Sequence, residues 1–292
     1  RRIGYLFLIP SLVIIAVFIA YPVINTFIRS FQELRIQTIQ QGGTFVGFDN
    51  YVKAFQDSLT IQSIQFTLLF TVVAVILETV LGMVSALIMN REFKGQGFVR
   101  AAILVPWAIP TIVSGLMWKF MFAESYGVIN FLLQSWGVID EPIKWVTGTT
   151  WAFWSVIISD VWKTSPYMAL LLMSGLQTIS KELYEAASID GANILQRFRY
   201  ITLPILKPVL MVALLFRTIQ SFRIYDLLAV LTGGGPANKT LSLTYYTVNQ
   251  YFTYGNIGYG SALAVITFVI SMVIAMFFQE GMKSKMEVPN KK

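Results

Sequence analysis

The chain reads as long apolar runs separated by short polar segments. The first, residues 3–28, holds 26 residues without one ionisable group, more than the ~20 needed to cross a hydrocarbon core. It continues through Tyr21 and Pro22 to Arg29 and lacks the short core and small-residue end of a cleaved signal, so it reads as a membrane helix kept in the mature protein. Five more apolar stretches follow at residues 61–89, 101–122, 151–179, 208–231 and 257–279. The pattern predicts a single all-α integral membrane domain over residues 1–292 with six transmembrane helices and both ends on one side.

Charge assigns that side. Lys and Arg number 13 in the N-terminal segment, residues 90–100, residues 180–207 and the segment after 279, against 5 in the three opposing loops. The positive-inside rule therefore puts both termini in the cytoplasm, and the net charge of +7 needs no nucleic acid to explain it. Only 22 basic and 15 acidic residues occur among 292, and the mean hydropathy is +0.64, which excludes an ordinary soluble domain. Cysteine and histidine are absent. That removes disulfide scaffolds, thiol and imidazole catalysis, and metal sites built on those ligands. No internal repeat stands out, so the inverted-repeat signature of many secondary transporters is not visible.

Ionisable groups inside the apolar stretches cost about 2.5 to 3.5 kcal/mol each at a helix centre and should face a protein interior or a wet cavity. Counting from Trp151 and from Pro208 at 1.5 Å per residue, Asp160 and Arg217 each lie roughly 14 Å deep, at mid-bilayer. Asp160, Lys163, Thr164 and Tyr167 form one polar stripe at helical spacing. Arg217, Gln220, Ser221 and Ile224 form another, with Arg223 and Asp226 further out as an i,i+3 pair. Glu78 lies nearer the cytoplasm and is expected to have a structural partner. Lys119 and Glu124 are explained by snorkelling at the outer interface. Trp107, Trp118, Trp151, Trp154 and Trp162 fit interfacial belts or packing, and Pro106, Pro110 and Pro166 interrupt their helices.

The loop at residues 180–207 has helical content of its own. Ser180 can cap a short helix in which Leu183, Ala186 and Ala187 share a face, and Gly191 after Asp190 permits a backbone turn into a second short segment. Pro204 and Pro208 set the entry to the next membrane helix. The run Glu185-Ala186-Ala187, then Gly191, then Ile201-Thr202-Leu203-Pro204 resembles the EAA loop of the membrane subunits of binding-protein-dependent ABC importers. The resemblance extends over nearly the whole chain, through Pro106-Trp107-Ala108-Ile109-Pro110, Tyr126-Gly127-Val128-Ile129-Asn130 and Leu231-Thr232-Gly233-Gly234-Gly235-Pro236. It is closest to the maltose/trehalose-type sugar permeases.

The resemblance implies a type I ABC importer permease fold in a prokaryotic inner membrane, with the hairpin as a coupling helix seated in an ATPase subunit. Glu185, Ala186, Ala187, Asp190 and Gly191 are then the ATPase-coupling residues. It also implies a second permease subunit, two ATPase subunits and an extracytoplasmic sugar-binding protein as partners, besides the lipid bilayer. The chain has no Gly-Lys dipeptide, hence no Walker A loop. It is expected to carry no cofactor, with ATP and Mg on the partner ATPase subunits.

By the same resemblance Asp160 and Thr164 match positions that contact sugar, with Asp160 charged where an amide would sit. Lys163 and Arg217 accompany them, and Thr218, Gln220, Ser221 and Arg223 compete for the matching roles after the loop. Asp160 and Arg217 can equally be read as a structural salt bridge between packed helices. The favoured function is the permease subunit of an ATP-driven importer for a sugar, a disaccharide such as trehalose or maltose, working by alternating access. The rivals are a self-sufficient secondary transporter or channel with a proton on Asp160 or Glu78, and an ABC importer for another solute such as glycerol-3-phosphate. A membrane enzyme would need a carboxylate dyad or a Ser-Lys pair, and nothing in the sequence places one.

Overall fold

The computed structural model describes residues 2–283. Of the residues entering the charge count, Arg1, Lys285, Lys291 and Lys292 lie outside that range. Helix α1 (Arg2–Ile15) passes through a wide turn at Ala16–Ala20 into α2 (Tyr21–Ser30). Strands β1 (Gln32–Glu33) and β2 (Thr44–Phe45) pair antiparallel, a two-residue ribbon in a chain otherwise helical. There follow α3 (Asp49–Gln56), α4 (Ser58–Met89), α5 (Gln96–Ala108), α6 (Thr111–Met121), α7 (Val128–Ser135) and α8 (Trp151–Leu176). The remainder is α9 (Lys181–Ile189), α10 (Ile194–Arg197), α11 (Leu203–Phe222), α12 (Asp226–Leu231), α13 (Leu243–Val248) and α14 (Ile257–Lys283).

Among the described residues, Leu8–Ser30, Ser58–Met89, Ile194–Leu231 and Ile257–Glu280 are long and apolar enough to cross a membrane. The stretch expected as one crossing at 101–122 is instead broken, with α5 and α6 bent by 94°. The cause is local: Pro110 pushes Ile109 out of helical conformation, to ψ 132°, and supplies no N–H to continue the ladder. Helix α8 has the length, at 26 residues, but its polar stripe keeps it out of the apolar set. The expected crossing at 208–231 also differs. Its helix begins before Pro208 and ends at Phe222, and Arg223 to Tyr225 separate it from α12. Arg223 and Asp226 therefore lack the helical i,i+3 geometry expected of them, and no ion pair joins them among the described residues.

The chain forms two compact units. The first comprises Arg1–Gln65 and Ser242–Ile270. Here Asn50 donates to the carbonyls of Ser30 and Gln32, each at 2.9 Å, tying α3 to the end of α2 and to the ribbon. Asp57 caps α4 by accepting from the Leu59 N–H at 3.0 Å, and also accepts from Tyr246 at 2.6 Å and Tyr259 at 2.8 Å. Burial pushes this carboxyl up, but the hydrogen bonds from Tyr246, Tyr259, Leu59 and Thr60 outweigh it and leave Asp57 below its ordinary value.

The second unit comprises Phe66–Leu241 and Ser271–Lys292. It has two apolar clusters strung along α8. One gathers Phe66 and Phe70 of α4, Trp118 of α6, Val156 and Ile157 of α8 and Leu228 of α12. The other gathers Met89, Met168, Leu172 and Leu206 from α4, α8 and α11. Small residues let the second cluster close: a Cβ on Gly175 would lie 2.5 Å from Leu206 and 3.0 Å from Val209. Between the clusters, α8 carries its polar stripe.

Candidate functional site

That stripe meets α4 and α11 in a buried polar layer. The Arg217 guanidinium forks onto Glu78, with Nε on Oε2 and Nη2 on Oε1 at 2.7 Å, and Nη2 also reaches Asp160 Oδ2 at 2.7 Å. Thr164 Oγ1 lies 2.8 Å from Glu78 Oε1, 3.1 Å from Arg217 Nη2 and 2.5 Å from the carbonyl oxygen of Asp160, one turn earlier on α8. Glu78 is 0% exposed, Arg217 4% and Asp160 8%. Two carboxylates thus converge on one guanidinium, and a bidentate fork of this kind is the strong form of such a pair. Breaking a buried pair by removing one partner costs about 3 to 5 kcal/mol, because it strands a charge.

Lys163, one residue from Thr164, turns the other way. Its Nζ donates to the Ile109 carbonyl at 2.5 Å, the group released by the break between α5 and α6. Tyr167 stacks on Trp107, ring centroids 5.8 Å apart.

A cavity of about 350 Å³ opens on this layer. Its walls include Asp160, Lys163, Thr164, Arg217, Gln220, Ser221 and Arg223. Of the two sequence stripes, all but Tyr167 line this space; Thr218, the remaining candidate, is half-buried and does not line it. Trp107, Thr111 and Tyr225 also line it and were not singled out as site residues; Trp107 is set against α8 by its stack on Tyr167. Ser221 is 1% exposed and its hydroxyl has no hydrogen-bond partner among the described residues. A buried orphan hydroxyl beside a cavity calls for a partner from water or ligand. The volume is that of a small-molecule site, and the wall offers carboxylate acceptors, guanidinium and ammonium donors, hydroxyls and an indole face.

Lys119 and Glu124 hold structure. Lys119 Nζ donates to the Val230 carbonyl at 3.2 Å, satisfying the last turn of α12, and Glu124 pairs with Lys144 at 3.8 Å. Asn130 is 2% exposed. Its Oδ1 accepts from the Ile143 N–H at 3.1 Å and from Trp145 Nε1 at 2.9 Å, and its Nδ2 donates to the Ile143 carbonyl at 3.0 Å.

The second candidate surface is the hairpin α9–α10. Ser180 stands at the N-cap of α9, but its hydroxyl bonds the Glu182 carboxylate instead of a backbone N–H. Gly191 takes φ +82° and reverses the chain; Asn193 and Gln196 then close a capping box on α10. Glu185, Ala186 and Asp190 are exposed and Ala187 half-buried. Ile189, Ile194 and Leu195 stand 86%, 71% and 74% exposed beside them, a quantity of apolar surface that marks an interaction site. Tyr184 Oη lies 2.9 Å from Thr202 Oγ1 and anchors the hairpin to the base of α11. Lys181 pairs with Glu92 at 2.8 Å, which lowers that carboxyl and raises the lysine from their ordinary values.

The family described as the binding-protein-dependent transport system inner membrane component matches residues 78–288. The chain belongs to this family. It is 44% identical over 277 residues to the trehalose/maltose transport system permease protein of Thermococcus litoralis, covering 95% of this chain and 92% of that protein. Against the sulfoquinovosyl glycerol transport system permease protein of Agrobacterium fabrum it is 38% identical over 285 residues, 98% of this chain and 92% of the other. A bacterial ABC transporter involved in the import of alginate shares its fold, with a TM-score of 0.84 at 21% identity over 97% of this chain and 96% of that one. This binding-protein-dependent permease is accordingly a multi-pass transport component of a prokaryotic inner membrane and not an enzyme.

Proposed function

We propose that this permease subunit conducts a sugar, a disaccharide such as trehalose or maltose, across the membrane in an ATP-driven importer. Six crossings with both termini cytoplasmic give the chain its frame, α5–α6 and α8 serving as the third and fourth. The observation that carries the reading is the mid-span cavity, in which Asp160, Lys163, Thr164, Arg217, Gln220, Ser221 and Arg223 meet. Hydroxyl-rich solutes need many short donors and acceptors together with a flat apolar face, and Trp107 supplies the latter. The T. litoralis relative, named for trehalose and maltose, supports that substrate class.

Glu185, Ala186, Ala187, Asp190 and Gly191 form the face that a separate ATPase subunit engages. Two such subunits, a second permease subunit and an extracytoplasmic sugar-binding protein complete the assembly. Support comes from the exposed apolar residues of the hairpin and from a fold neighbour, a bacterial alginate ABC transporter solved in complex with its alginate pentasaccharide-bound periplasmic protein.

The test is reconstitution. Proteoliposomes holding the whole assembly should hydrolyse ATP faster, and accumulate sugar, when trehalose- or maltose-loaded binding protein is added. Liposomes holding this chain alone should accumulate neither sugar under a proton gradient. Uphill uptake by the lone chain would overturn the proposal in favour of a secondary transporter.

A further inference from the structure

Glu78 is the member of the polar layer set back from this cavity: it is 0% exposed and does not line the space that Asp160 and Arg217 share. Asp160 already gives the guanidinium one carboxylate partner, so a second acid on the same guanidinium, buried behind the wall, has a role beyond pairing. The geometry distinguishes the two acids. Glu78 takes the fork of Arg217 through both its oxygens, while Asp160 receives a single contact from Nη2 at 2.7 Å. Thr164 reinforces Glu78 on the same oxygen that Nη2 reaches. The deeply buried acid is thus the firmly held one, and the acid on the cavity wall is the surplus one.

We propose that Glu78 is a positioning residue of the sugar site: by occupying the Arg217 fork it leaves Asp160 free to exchange the guanidinium for a sugar hydroxyl. This rests on the reading of the cavity as the sugar's path. With Glu78 in place, a hydroxyl that donates to Asp160 displaces one N–H contact and leaves Arg217 paired. Without it, the same exchange strands a buried guanidinium, so the sugar competes against a full ion pair. Glu78 therefore acts on sugar affinity only through Asp160, and a double-mutant cycle reads that dependence directly.

The experiment measures binding of radiolabelled trehalose and maltose to the complete transporter assembly without its binding protein, for the wild type, E78Q, D160N and the double variant. E78Q should weaken binding about tenfold, the scale of a hydrogen bond to a charged group. The same change made in the D160N background should leave the dissociation constant where D160N alone puts it. Glu78→Asp, which keeps the charge but draws the carboxylate back by one methylene, should weaken binding less than E78Q does; if E78Q does not assemble, this smaller loss is read in the cycle instead, and its absence in the wild-type background overturns the proposal. Equal weakening by E78Q in both backgrounds, or none in the wild type, overturns the proposal while the sugar reading stands. If D160N leaves both sugars bound as before, or the wild type binds neither, the reading of the cavity fails and the proposal fails with it.

Discussion

Individual residues in this permease do work that their spacing only partly announces. Asp160 and Arg217 were visible as polar positions at equal depth, and their pairing was one of two readings of the same stripes. That Arg217 prefers Glu78, 139 positions away, depends on how α4 and α11 rotate against each other, which no one-dimensional pattern encodes. Lys163 sits in the same stripe yet serves the Ile109 carbonyl, because a helix break 54 residues upstream leaves that acceptor open. Asn130 was legible as the end of a motif and not as a clamp. Its amide holds the 143–145 segment at both backbone groups and at the Trp145 indole. Asn130→Ala should therefore destabilise the protein by about 2 to 3 kcal/mol, from stranding buried polar groups. A lowered thermal midpoint in detergent is the readout, and an unchanged midpoint would show the clamp to be dispensable.

At the scale of elements, hydrophobic runs located the helices well and their interruptions poorly. The 101–122 run is apolar but for Thr111, Ser114 and Lys119, and nothing in its periodicity separates a straight crossing from two helices at 94°; Pro106 and Pro110 marked the place but not the angle. The hairpin was far more readable, because its turn rests on one local requirement. Gly191 at φ +82° occupies backbone space that side chains with a Cβ reach only under strain, and open space around it means the cost of replacement is conformational. Gly191→Val should leave the chain inserted but abolish stimulation of ATP hydrolysis by sugar-loaded binding protein, and Glu185→Lys should do the same by reversing charge on the α9 surface. Stimulation at the wild-type level in both variants would remove the hairpin from the coupling role.

For the whole molecule, the family was readable from the hairpin motif and its position in the chain, and the fold follows from the family. The path of the chain across the bilayer is a charge argument, and the absence of cysteine makes it directly testable. Single cysteines introduced at Lys53, Lys144 or Lys239 should react with a membrane-impermeant maleimide in intact cells, whereas those at Arg91 or Lys181 should react only after lysis. The reverse pattern would invert the topology.

The polar layer between the two apolar clusters also has an electrical consequence. The layer sets two acidic side chains, Glu78 and Asp160, against two basic ones, Arg217 and Lys163, so its formal charges sum to zero. A field worth ~2.3 kcal/mol per elementary charge per 100 mV then finds no net monopole to pull as this layer rearranges around a neutral sugar of the class proposed above. On the proposed function, sugar uptake by the reconstituted assembly should then follow ATP and stay unchanged when the membrane potential is collapsed.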